Sequence, residues 1–178
     1  MPYHQVLIVG GGLAGLRAAI EAADHGADVA ILSLVHPVRS HSGAAQGGVN
    51  AALANAEDGR DDTAGKHAFD TVKGSDYLAD QDAVEIMALE APARIIELEH
   101  WGCPFSRTGE GKIAQRPFGG GAYPRTCYAA DKTGHYMLHT LYEQSLKRAV
   151  RIYSEWAAAW LIVQDGIVNG LVALHLPS

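Results

Sequence analysis

The sequence has few cysteines, no run of basic residues and no long apolar stretch, and each shortage excludes a class of protein. Its 178 residues carry 14 Lys and Arg against 20 Asp and Glu, so the net charge is −6. This balance argues against a nucleic-acid-binding protein, which needs a basic surface. The longest apolar runs are far short of a membrane span. Cys103 and Cys127 fit no metal-binding spacing, so a reducing cytosolic compartment is the simplest interpretation.

Glycine, by contrast, is present in clusters. Apolar residues make up 48% of the chain and charged residues 19%, which is the composition of a globular protein. The 20 glycines include three local concentrations, at 10–15, 43–48 and 119–121. Clustered glycine indicates backbone that lies close to another group or that adopts a positive φ.

The first 33 residues predict a βαβ unit. Val6–Val9 is a short, apolar, β-branched run, typical of a buried parallel strand. The Ala-rich segment 13–24 predicts an amphipathic helix, with Gly26 placed for a left-handed cap. Residues 28–32 predict a second buried strand. A strand, a helix and a strand in so short a length form a βαβ unit.

The turn before the helix matches G-x-G-x-x-G through Gly10, Gly11, Gly12, Leu13, Ala14 and Gly15. Its place, directly after a buried strand and at the start of a helix, favours a dinucleotide phosphate site over a glycine turn that binds nothing. The helix N-terminus offers N–H groups and a partial positive charge to phosphates. Ser33 stands where the pattern expects Asp or Glu for the ribose, so we expect a weaker, hydroxyl-based contact there.

Downstream, the pattern is mainly helical. Three further helices are predicted, over 63–72, 80–101 and 133–148. Pro92 predicts a kink or a break near Ala91, and Leu146 is expected to face inward. A short helix is predicted over Gln46–Leu53, and the charged segment 57–63 is expected to be exposed.

Two strands are predicted at Arg151–Val163 and Ile167–Leu176, and Asp165–Gly166 between them is a strong hairpin signal. A doubly wound sheet normally has about five or six parallel strands. Because these strands do not complete such a sheet, we expect residues 1–178 to be the front part of a longer protein.

The segment Arg39–Gly48 reads R-S-H-S-G-A-A-Q-G-G. It resembles the flavin-attachment loop of the succinate dehydrogenase and fumarate reductase flavoprotein subunits, where R-S-H-[ST]-x-x-A-[QE]-G-G carries the flavin on its histidine. His41 falls on that histidine, so the resemblance implies FAD held by a covalent 8α-histidyl link. Arg39 would stabilise reduced flavin or pair on the surface. The cofactor-binding residues expected in this loop are Arg39, Ser40, His41, Ser42, Ala45, Gln46, Gly47 and Gly48.

The resemblance continues in order along nearly the whole chain, through the blocks at 74–81, 101–107, 115–120 and 125–135. Arg116 is expected either to shape a loop near the substrate or to pack structurally. Ala157 is expected to approach the adenine through its backbone. His135 and His139 lie four residues apart, but no third ligand accompanies them, so no metal site is expected.

The resemblance implies a fold and a function. The fold is α/β, a Rossmann-like FAD-binding domain of the glutathione-reductase type that is incomplete and truncated before the capping domain. The function is the interconversion of succinate and fumarate, with electrons passed to an iron–sulfur subunit and to quinone at membrane anchor subunits. The implied location is peripheral, on the cytoplasmic face of a bacterial inner membrane. The family's catalytic residues lie further downstream, so none is assigned within residues 1–178.

Two other interpretations stay open at this point. L-aspartate oxidase shares an A-Q-G-G segment, but its flavin is not covalent and its loop lacks the histidine, so His41 argues against it. A catalytically inactive FAD-binding fragment would bind FAD weakly and show no turnover.

Overall fold

The computed structural model describes residues 2–177, which fall into two compact units. The first unit contains the residues up to Ala44 and those from Met137 onward, and the second contains Ala45–Tyr136. In chain order the helices and strands are β1 (Val6–Val9), α1 (Leu13–Asp24), β2 (Val29–Ser33), β3 (Val49–Asn50), α2 (Ala64–Gly74), α3 (Gln81–His100), β4 (Gln115–Arg116), β5 (Thr126–Cys127), α4 (Thr133–Lys147), β6 (Arg151–Ser154), β7 (Trp156–Gln164) and β8 (Ile167–His175).

The first unit is built on a parallel sheet with the strand order β1-β2-β6. The central strand β2 is buried along its whole length, as expected for a strand flanked on both sides. Helix α1 buries Leu16, Ala19 and Ile20 completely. Gly26 ends the helix at φ +79°. The predicted βαβ unit is therefore confirmed, including its left-handed cap. The predicted burial of β1 is wrong: Leu7 is 38% exposed and Val9 57% exposed, because β1 has a neighbouring strand on one side only within residues 2–177.

A long antiparallel hairpin, β7–β8, follows the sheet in the same unit. Asp165 and Gly166 both have positive φ, at +52° and +78°. Positive φ at both central residues is typical of a type I′ turn, which joins the two strands of a hairpin through a two-residue loop. The predicted single strand over Arg151–Val163 is wrong, because the chain leaves one sheet for another at Glu155, where φ is +65°. Residues before this point form β6 and those after it form β7.

The second unit pairs helices α2 and α3 with a small antiparallel sheet, β3-β5-β4. Thr63 caps α2 by accepting a hydrogen bond from the N–H of Lys66 at 3.2 Å, and Asp80 caps α3 by accepting one from Ala83 at 3.2 Å. Of the kink or break predicted near Ala91, the break is wrong, since α3 continues through Pro92. Proline removes only one hydrogen bond from the ladder of a long helix.

Two further predictions are wrong. The segment Gln46–Leu53 is not helical, because Val49–Asn50 forms β3 and Gly48 has a φ of +119°. Leu146 is 52% exposed. The buried face of α4 contains Leu138, Leu141 and Ser145, and Leu146 lies about 100° around the helix from Ser145.

Within residues 2–177, no helix combines the length and apolarity that crossing a membrane requires.

Candidate functional site

The glycine turn after β1 packs too closely for any side chain at Gly15. An ideal Cβ on Gly15 would lie 1.8 Å from the carbonyl oxygen of Gly10. Gly10 itself has a φ of +115°, and its N–H donates to the carbonyl of Leu32 at 2.8 Å. The turn therefore holds the start of α1 directly against β1. In the G-x-G-x-x-G pattern the first glycine permits the tight turn and the last permits close packing of the helix on the strand.

Three serine hydroxyls lie against the same turn. A Cβ on Gly11 would meet Ser33 Oγ at 2.7 Å, and Ser33 is only 3% exposed. A Cβ on Gly12 would lie 3.2 Å from Ser42 Oγ and 3.9 Å from Ser40 Oγ. The end of β2 and the loop after it therefore bring polar groups to the N-terminus of α1.

This N-terminus has unused hydrogen-bonding capacity. Gly12 provides no side-chain cap, and the N–H of Leu13 makes only a long bond of 3.4 Å to Ser42 Oγ. The N–H groups of Ala14 and Gly15 have no acceptor within residues 2–177. Ser40 Oγ is buried without a partner in the same part of the chain. Free N–H groups beside an unpaired hydroxyl fit a phosphate, so these residues fit the pyrophosphate of FAD.

The loop that carries His41 is held in place by its own backbone and by α4. It forms two 3₁₀ turns, Pro37–Arg39 and His41–Ala44. His36 Nε2 is hydrogen bonded to the hydroxyl of Tyr142 at 3.3 Å. The side chains of Arg39 and His41 are both exposed. The loop therefore presents His41 outward from a fixed backbone.

The second unit contains the remaining predicted loop residues, Ala45–Gly48. Arg116 Nη2 donates to the carbonyls of Gln46 and Gly47 at 3.4 and 2.8 Å. A Cβ on Gly48 would lie 2.5 Å from the carbonyl oxygen of Cys127, so only glycine fits there. The predicted helix start at Gln46 is absent, and these residues form a turn bound through its carbonyl groups.

Ala157, the predicted adenine contact, lies on β7 opposite Leu174 and is partly exposed. Nothing in the structure tests its contact with adenine, and that assignment stays a prediction.

Sequence reasoning missed a buried charge cluster in the second unit. The predicted exposure of Asp62 is wrong, since this residue is only 8% exposed. Arg125 binds the carboxylates of both Asp62 and Asp70 and so provides the charge partner that burial requires. His67 is 3% exposed, and its Nδ1 has no partner within residues 2–177. Burial, together with the charge of Arg125, holds the pKa of His67 below its usual value. No local pattern signals this cluster, since Arg125, which joins Asp62 and Asp70, lies 63 residues from Asp62.

The family model described as "FAD binding domain" matches residues 5–177. A "Succinate dehydrogenase flavoprotein subunit" from Rickettsia bellii is 54% identical over 179 residues, covering 96% of this chain and 30% of the relative. A "Fumarate reductase flavoprotein subunit" from Mycobacterium tuberculosis is 52% identical over 178 residues, covering 98% of this chain and 30% of the relative. The chain thus spans about 30% of the length of these curated relatives.

A solved structure gives the same likeness at the level of the fold. A chain of a variant of E. coli quinol fumarate reductase superposes with a TM-score of 0.90 at 44% identity, covering 97% of this chain and 29% of that one. At this identity the agreement extends beyond the fold to the sequence. The chain belongs to the FAD-binding domain family, and within that family to the FAD-binding region of the succinate dehydrogenase and fumarate reductase flavoprotein subunits.

Proposed function

We propose that residues 1–178 are the N-terminal part of the FAD-binding domain of a succinate dehydrogenase or fumarate reductase flavoprotein. The capping and C-terminal domains would come from the remainder of a longer polypeptide. The share of about 30% that the chain covers in its curated relatives supports this division.

One observation carries the proposal: the N–H groups of Ala14 and Gly15 and the nearby hydroxyl of Ser40 have no hydrogen-bond partner within residues 2–177. Gly15 has no room for a Cβ, and Ser40 Oγ is buried and unpaired beside the same turn. In the first unit, residues 10–15 would hold the pyrophosphate, and Ser33 and Ser42 would add hydroxyl contacts. When bound, FAD supplies two-electron oxidation and reduction at its ring system.

His41 is the proposed site of covalent attachment. Its imidazole is exposed on a loop whose backbone is fixed by hydrogen bonds, so it is available to a ligand. A neutral imidazole is a nucleophile near neutral pH. Arg39 is exposed in the preceding turn and would place a positive charge near reduced flavin.

The proposed reaction is the interconversion of succinate and fumarate. Two relatives, a succinate dehydrogenase flavoprotein subunit and a fumarate reductase flavoprotein subunit, support this assignment. Electrons would pass to an iron–sulfur subunit and then to quinone at membrane anchor subunits. The complex would lie on the cytoplasmic face of a bacterial inner membrane. The groups that bind substrate and transfer protons would lie outside residues 1–178.

The test is the retention of flavin after denaturation. The native polypeptide is expressed from its own locus, denatured in acid and separated on a gel, beside His41→Ser and the control His25→Ser. We expect flavin fluorescence on the wild-type and control bands and none on His41→Ser. Flavin released from the wild type would contradict the covalent link and favour the aspartate oxidase type. Absence of flavin from the wild type would contradict the cofactor assignment.

A further inference from the structure

The turn Ala45–Gly48 is held by its carbonyl groups. The N–H of Gly134 donates to the carbonyl of Ala45 at 2.8 Å. Arg116 Nη2 donates to the next two carbonyls, at 3.4 Å for Gln46 and 2.8 Å for Gly47. Three successive carbonyl oxygens are therefore fixed by donors from later parts of the same unit.

The peptide groups that carry these oxygens also carry the N–H groups of Gln46, Gly47 and Gly48. All peptide bonds here are trans, and in a trans peptide the N–H points away from the C=O. Fixing the three carbonyls therefore fixes the directions of the three N–H groups. None of these N–H groups has an acceptor within the described residues 2–177, so the turn presents unused donors on the side away from Arg116.

Arg116 is itself held in one orientation. Its backbone lies in β4, paired with Thr126 of β5. Its guanidinium lies over the ring of Tyr128, with 4.4 Å between Cζ and the ring centroid. A planar guanidinium stacked on an aromatic ring has little freedom to rotate away. No carboxylate pairs with Arg116 within residues 2–177, so its charge is directed at the two carbonyls.

We infer that Arg116 is a positioning residue for the flavin: it holds the carbonyls of Gln46 and Gly47 so that the opposite N–H groups are aimed at acceptor atoms of the cofactor ring. This inference rests on the proposed function. Arg116 acts through the turn rather than by touching the cofactor. Fixed donors and a nearby positive charge favour an electron-rich ring, and most of all its reduced, negatively charged form.

The test uses the full native polypeptide carrying His41→Ser, so that FAD binds without a covalent link and its affinity can be measured. Arg116→Gln removes the charge and the stacked donor, whereas Arg116→Lys keeps only the charge. Arg107→Gln is the matched control, since Arg107 is an exposed arginine of the same unit paired with Glu99. FAD affinity, the flavin reduction potential and thermal stability are measured for each variant.

We expect Arg116→Gln to weaken FAD binding about tenfold, as for the loss of one or two hydrogen bonds to charged groups, and to make the reduction potential more negative. Arg116→Lys should weaken binding but retain more of the potential. The control should match the parent in both. If Arg116→Gln lowers only the thermal stability and leaves affinity and potential unchanged, the residue is merely structural and the inference is overturned.

A flavin-free measurement separates this inference from the proposed function. Displacing the turn would release the N–H of Gly134 from Ala45, so Arg116→Gln should speed amide exchange at Gly134 in protein stripped of flavin. Unchanged exchange overturns the role of Arg116 in holding the turn. A wild-type protein that binds no FAD refutes the proposed function instead, whatever the exchange result.

Discussion

Arg125 binds both carboxylate oxygens of Asp62, through Nε at 2.9 Å and Nη2 at 2.8 Å, and both side chains are 3% exposed. Its remaining nitrogen, Nη1, lies 2.9 Å from a carboxylate oxygen of Asp70. One guanidinium thus joins the segment before α2, α2 itself and the residue that precedes β5. The Arg125–Asp62 pair is bidentate, the geometry in which arginine and carboxylate bind most strongly.

Replacing Asp62 by alanine should lower the free energy of unfolding by about 3 kcal/mol, because it leaves part of a buried guanidinium uncompensated. Urea denaturation of the native polypeptide measures the change. Asp61→Ala is the matched control, since Asp61 is the exposed neighbour that pairs with Lys66, and exposed pairs contribute little. Equal urea midpoints for the two variants would contradict the assigned role of the Arg125–Asp62 pair.

His67 should make the protein less stable in mild acid. Its folded pKa lies below the ordinary value of 6.5, first because of burial and then because of the charge of Arg125. Below pH 6.5 the unfolded chain takes up a proton that the native histidine does not, so stability falls until the pH reaches the folded pKa. His67→Leu should flatten this dependence between pH 7.5 and about 5, as measured by urea midpoints. An unchanged slope, matching that of the exposed His25→Gln control, would rule the effect out.

Gly15→Ala should separate α1 from β1. The added methyl would lie 1.8 Å from the backbone oxygen of Gly10, so the helix must move, and we expect a loss of about 2–3 kcal/mol or more together with loss of FAD binding. The control is Gly65→Ala in α2, where the nearest atom is 3.9 Å away. Removing glycine from a helix should stabilise that variant slightly. Thermal unfolding and FAD binding are measured for both, and similar behaviour of the two would refute the close packing.

The Cys127 thiol should be inert in the native state. Burial raises its pKa to about 12, and the side chain is fully buried. At pH 8 almost no thiolate is present for alkylation. Iodoacetamide should therefore label Cys127 only after unfolding, whereas an exposed thiol introduced by Lys73→Cys should react at once. Mass spectrometry after brief labelling measures the extent of reaction at each cysteine. Labelling of Cys127 in the native protein as fast as that of the introduced cysteine would contradict the prediction.

The βαβ start was predictable from sequence because its signals are local. The strand Val6–Val9, the helix from Leu13 and the cap at Gly26 each depend on residues within a few positions, and the structure confirms that all three form. The burial of the strand depends on its neighbours in the sheet, and that part of the prediction is wrong. The hairpin at Asp165–Gly166 is of the same kind. Such elements need no knowledge of the rest of the chain.

The second unit was harder to predict because distant residues determine its conformation. Helix formation at Gln46 is overridden by Arg116, 70 residues later, and by the positive φ of Gly48. Asp62 is buried because Arg125, 63 residues away, provides its charge partner. In the candidate site, the glycine turn and the three serines near it could be predicted from the sequence, whereas the carbonyl contacts of Arg116 required the fold.

The left-handed conformation of Glu155 allows one uninterrupted stretch of chain to serve two sheets. Residues before it pair in parallel with β2, and residues after it pair antiparallel with β8. This conformation limits which residues fit at position 155. Glycine or asparagine takes up such a conformation at low cost, whereas valine or isoleucine would restore extended backbone and compete to join the two strands into one. Position 155 therefore requires a residue that tolerates a positive φ, although its exposed, charged side chain gives no sign of this requirement.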